Sequence, residues 1–88
     1  MLIRYWFRFA SIPGMRLPIG VAQGCGVSAF NYEDALSLLK VKVFDGNDLP
    51  PTEEVIENID VSTLDNKQII PNIGNVRMRG IWFPLGYE

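Results

Sequence analysis

The sequence predicts an α+β fold: a single two-layer domain over residues 1–88, with a mainly antiparallel sheet of about four strands in ββα-ββ order. One main helix packs on the sheet, and a second short helix fits before the last two strands. Three observations predict it. The first nine residues alternate between two faces, residues 31–44 change to helical spacing, and the second half returns to short apolar runs bounded by turn residues. Eighty-eight residues, 48% of them hydrophobic, suit one folded domain.

Ile3, Tyr5, Phe7 and Phe9 fall on one face of the opening segment, and Leu2, Arg4, Trp6 and Arg8 on the other. Period two with this many aromatics is the signature of a strand with one buried face. Ser11 to Gly20 holds two prolines and two glycines and reads as a loop, with Pro13-Gly14 as a turn centre. Val21 to Phe30 resumes an extended pattern, in which Cys25, Val27 and Ala29 oppose Gly26, Ser28 and Phe30. This second strand is expected to pair antiparallel with the first. Its glycines at 20, 24 and 26 point to a bulge or to close approach by neighbouring backbone.

Asn31 has the character of an N-cap, with Glu33 and Asp34 in the first turn, where carboxylates complement the helix dipole. Tyr32, Ala35, Leu36, Leu39 and Val43 then repeat at helical spacing, while Glu33, Ser37 and Lys40 mark the wet side. The helix is expected to stop near Phe44, with Gly46 as its left-handed cap, although Val41 to Phe44 also reads as a strand. Pro50-Pro51-Thr52-Glu53-Glu54 resembles a helix start and predicts a short helix to about Asn58. Ile59, Val61 and Thr63 alternate with Asp60, Ser62 and Leu64 and predict a third strand. Asp65-Asn66 makes a turn and Pro71 to Asn75 a loop. Val76 to Phe83 is the fourth strand, with Arg77 and Arg79 on one face.

A chain of this length buries only about 60–65% of its unfolded surface, so its core carries little surplus. Cys25 is alone, which removes disulfides, and with no histidine a zinc site is not expected. Oligomerisation remains a way to add buried area, and a homo-oligomer stays open. The longest uncharged run, Leu17 to Tyr32, is 16 residues and is broken by Pro18 and three glycines. It is too short and broken to span a bilayer, and Arg4 and Arg8 interrupt the apolar start, so no signal peptide is expected. The lone thiol favours a cytoplasmic setting.

No catalytic residue is expected. Histidine, the usual base near neutral pH, is absent. A nucleophilic Cys25 needs its pKa lowered, yet the nearest predicted helix begins with two carboxylates, which act the other way. The glycines around Cys25 match neither the Walker nor the dinucleotide spacing, and Glu33 and Asp34 occupy the position a phosphate would need. Neither a cofactor nor a metal is implied.

Two surfaces remain. Asp45, Asp48, Glu53, Glu54, Glu57 and Asp60 form an acidic stretch fit to meet a basic site on a protein partner. Arg4, Trp6 and Arg8, with Arg77 and Arg79, would form a charged stacking platform for single-stranded nucleic acid if the first and last strands were neighbours. The competing expectation for these arginines is that they solubilise the sheet or pair with the acidic middle of the chain. Charge is segregated along the sequence: residues 1–32 carry +3, residues 33–65 carry −7 and residues 66–88 carry +2. The sequence therefore predicts a small non-enzymatic interaction module, an inhibitor, immunity-type protein or regulatory subunit, that binds a protein through its acidic face or an exposed aromatic surface. Nucleic-acid binding is the alternative, because a dedicated binder would carry net positive charge where this chain carries −2.

Overall fold

The alternating segment at the start of the chain becomes the centre of the sheet. In the computed structural model, which describes residues 1–14 and 16–88, strand β1 runs Ile3–Phe9 and pairs antiparallel with β2, Cys25–Ala29. Met15, inside the predicted loop, lies outside the described residues. The sheet order is β3-β1-β2-β4, all antiparallel, with β3 at Thr52–Glu57 and β4 at Gly80–Phe83. Helix α1, Tyr32–Leu38, continues through a wider π-type turn at Leu39–Val43. The expected α+β domain with one main helix and a four-stranded antiparallel sheet is what the chain forms.

The predicted helix boundaries hold at both ends. The Asn31 side chain accepts a hydrogen bond from the Asp34 N–H at 2.8 Å, and Asp34 Oδ2 accepts from the Phe30 N–H at 3.0 Å. The first bond satisfies a donor that the first turn leaves open, and the second ties the residue before the cap to that same turn. At the far end Asp45 and Gly46 adopt φ 55° and 85°, and the Gly46 N–H returns to the Lys40 carbonyl. Val41 to Phe44 therefore belongs to the helical segment.

Four expectations are corrected. The predicted short helix after Pro51 is strand β3, because Val55 lies opposite Phe7 and Glu54 opposite Arg8 in a ladder with β1. The predicted strand over 59–64 is instead a 3-10 turn at Val61–Thr63. Asn58 turns the chain with φ 54°, and the Asp60 carboxylate then accepts bonds from the Ser62 N–H and hydroxyl. The last strand begins at Gly80, since residues 76–79 are turn and bend, and Val21–Gln23 is a 3-10 turn ahead of β2.

Each face of the sheet has its own core. Tyr5, Phe7 and Phe9 of β1 join Cys25, Val27 and Ala29 of β2 and Ala35, Leu38 and Leu39 of the helix on one side. On the other side Trp6 stacks on Trp82, with ring centroids 5.9 Å apart, and lies 5.6 Å from Phe83. Ile59 and Ile69 complete this second core, and Val61, Leu64, Ile73 and Val76 pack against it. The irregular segment after β3 thus covers the face opposite the helix. Ser28, fully buried on that face, donates from Oγ to the Val76 carbonyl at 2.6 Å and anchors the cover to β2.

Gly24 and Gly26 are where these two tryptophans approach the sheet. A Cβ at Gly26 would overlap the six-membered part of the Trp82 indole, and one at Gly24 would overlap that of Trp6. The expected bulge is present, between Gly26 and Val27 in the pairing with β4. The close approach comes from these aromatic side chains and, at Gly24, also from backbone, since the Phe7 carbonyl oxygen lies 3.0 Å from where a Cβ would sit.

Candidate functional site

The five residues of the expected nucleic-acid platform are not brought together. Strand β2 lies between β1 and β4, so the first and last strands are not neighbours, and Arg77 and Arg79 precede β4. Trp6 is only 4% exposed, beneath the cover segment, and has no free ring face for a base. Arg4 Nε donates to the Ile59 carbonyl at 3.2 Å. Arg8 Nη2 lies 3.1 Å from Glu53 Oε1, and its Nε lies 3.8 Å from Glu54 Oε1. Arg79 Nε donates to Asp34 Oδ2 at 2.9 Å, its Nη2 to Oδ1, and its guanidinium lies 5.5 Å from the centre of the Phe30 ring. Arg4 and Arg77 form no ion pair among the described residues. Intramolecular pairing with acids accounts for two of the four arginines.

The six acidic candidates divide into two groups. Asp45 and Asp48 lie on the turn after the helix, where Asp48 Oδ1 is 3.7 Å from Lys40 Nζ. Glu53, Glu54 and Glu57 lie along β3, and Asp60 follows at the start of the cover segment. Bonds from Ser62, with the nearby Arg4 charge, hold the Asp60 carboxyl below its ordinary pKa. Among the described residues the only ion pair of Asp45 or Asp48 is that of Asp48 with Lys40, and no group of three carboxylates or thiols converges as a metal cluster there.

Cys25 is fully buried, and burial pushes its thiol up to about 12. A thiol so protonated and enclosed is a packing group.

The most distinctive feature of the acidic group is its place at the sheet edge. Among the described residues β3 has β1 on one side and no strand on the other. The Arg4 carbonyl accepts from the Ile59 N–H at 3.1 Å, and the Ala10 N–H donates to the Pro51 carbonyl at 2.9 Å. Even-numbered residues of β1 therefore turn their backbone groups toward β3. Their partners Ile56 and Glu54 use theirs in the ladder, so Val55 and Glu57 direct N–H and C=O outward. Among the described residues nothing caps those groups.

The β3 side chains divide between the two faces. Val55 packs against the helix-side core, and Ile56 against the tryptophan core. Glu57 lies opposite Tyr5, and burial of that tyrosine together with the Glu57 charge raises the phenol pKa. Three exposed carboxylates thus line an unpaired edge beside one guanidinium, that of Arg8. Sequence reasoning marked these acids but placed them on a helix. It missed the open backbone row, because its signal is the pairing of Val55 and Ile56 with residues nearly fifty positions away.

Two shallow clefts lie elsewhere. One of about 260 Å³ is bounded by Lys42, Met78, Arg79, Ile81 and Glu88, and the other, of about 460 Å³, by Gln23, Gln68, Asn72 and Phe83. No described helix is long and apolar enough to cross a membrane. In comparisons with protein-family models, curated proteins and solved structures, no match to this chain was found.

Proposed function

We propose that this domain is a small non-enzymatic interaction module, acting in the cytoplasm, that binds a protein partner through the β3 edge and its carboxylates. One observation carries the reading: an exposed edge strand bearing Glu53, Glu54 and Glu57 with a single adjacent arginine. Exposed edges are normally covered or blunted, so one left open with charges of one sign is suited to a partner of the opposite sign. The non-catalytic part of the reading is supported by the lack of histidine and by the protonated, enclosed Cys25. The cytoplasmic setting is supported by that same unpaired thiol.

The test is a triple neutralisation, Glu53→Gln, Glu54→Gln and Glu57→Gln. Immobilised wild-type and variant domains are compared for the proteins they retain, after circular dichroism shows equal folding. Partner retention is expected to fall about tenfold or more, since close interfacial charge pairs carry about 1.5 kcal/mol or more each. Unchanged retention by the folded variant overturns the acidic-edge reading.

A further inference from the structure

We infer that the partner binds by strand addition: an extended, lysine- or arginine-rich segment pairs with the outer edge of β3 as a fifth strand of the sheet. This rests on the reading above and adds the mode of contact and the chemistry of the occupant. The mode follows from the backbone. Val55 and Glu57 point their N–H and C=O groups outward with no partner among the described residues, the arrangement that an added strand satisfies.

The chemistry follows from charge, and it disfavours a second copy of the chain. Outward-directed residues of one antiparallel strand must pair with outward-directed residues of the other. In the two fullest registers for β3 against β3, Glu54 would face Glu54, or each Glu53 would face the Glu57 of its mate. Like charges directly opposite each other destabilise a strand pair. A basic strand reverses both terms. Glu54 and Glu57 lie on opposite faces of β3, so the fitting segment carries positive side chains on both of its faces.

The experiment uses the whole domain with a synthetic peptide of alternating lysine and valine. A glutamate-for-lysine version is the charge control, and proline placed at every third position gives a version that cannot form a strand. Binding is followed by fluorescence anisotropy and by amide hydrogen exchange. The lysine–valine peptide is expected to bind and to slow exchange of the Val55 and Glu57 amides, and both controls are expected to fail.

Val55→Pro removes one outward N–H while leaving the bonds to β1, because proline is tolerated where the missing donor faces solvent. Affinity is expected to fall roughly three- to tenfold, the loss of one hydrogen bond. Should this variant fold poorly, amide exchange on the wild-type domain decides the same question. If the peptide binds but the proline version binds equally, or the two amides stay unprotected, strand addition is overturned while the acidic-edge reading stands. If the peptide does not bind and the triple glutamine variant retains its partners, both fall together. Concentration-dependent dimerisation of the domain with protection at Val55 and Glu57 would replace the basic segment by a second copy and overturn the proposed occupant.

Discussion

At the residue scale, Asp34 shows how one carboxylate does several jobs. It stands in the first turn of α1, accepts from the Phe30 N–H, and is gripped by the Arg79 guanidinium. The hydrogen bond from Arg79, with that from Phe30, lowers its pKa from 3.8 to about 2. A carboxylate whose folded pKa is depressed contributes stability that is present above its unfolded value and is lost as pH falls through the folded value. The contribution is therefore complete near neutral pH and disappears between about pH 4 and pH 2. Arg79 is well exposed, so solvent screening limits the gain to about 1 kcal/mol. Asp34→Asn is expected to cost about that much at neutral pH and to flatten this acid limb, measured by urea unfolding at a series of pH values. An unchanged acid limb in the variant would assign the effect to other carboxylates. The sequence showed Asp34 as a first-turn acid and raised arginine pairing with the acidic middle. It did not show that Arg79, 45 positions away, would be the partner.

At the scale of elements, legibility followed how cleanly each segment's residues divide between the two faces. β1 and β2 were readable from alternation because their apolar and small residues split cleanly between faces. The helix was readable because Asn31, the periodic core positions and Asp45-Gly46 agree locally. β3 was not readable, because it has no such clean division. Val55 and Ile56 are adjacent in sequence yet serve opposite cores, which erases alternation and leaves a proline–glutamate run that imitates a helix start. Ile59 to Leu64 shows the reverse error: alternation is present, but Asn58 and the Asp60 cap turn the segment across the sheet. Gly26 had its role half indicated by sequence. It leaves room for Trp82 on β2, so Gly26→Ala is expected to cost about 1–3 kcal/mol in thermal or urea unfolding, the usual range for overpacking. Trp82→Phe in the same chain removes the outer indole atoms that would collide and is expected to recover part of that loss. Strict additivity of the two substitutions would show that the collision is not the cause.

At the scale of the whole molecule, the segregated charge of the sequence is folded back on itself. The acidic strand β3 lies against the basic strand β1, and Asp34 meets Arg79, so much of the apparent dipole becomes neighbouring pairs. On β3 itself Glu53 and Glu54 share the single Arg8 guanidinium and Glu57 has no ion pair among the described residues, so the open edge keeps an excess of negative charge. Beneath it, the two cores are joined through the same central strands. β1 gives Phe7 to the helix side and Trp6 to the other, while β2 gives Cys25 to the helix side and uses Gly26 to seat Trp82 on the other. In a chain with so small a buried surface, neither core has a strand of its own to stand on if the other is lost. The molecule is therefore expected to unfold in one step, and the two faces carry separate reporters of it. Trp6 and Trp82 emission follows the cover side, and alkylation of Cys25, fully enclosed with its thiol pushed up to about 12, follows the helix side. Across a urea series the two transitions are expected to share midpoint and slope, with Cys25 reacting only as the tryptophans are exposed. A tryptophan transition completed while Cys25 remains protected would show that the segment after β3 is a detachable cover, and that the helix and sheet hold together without it.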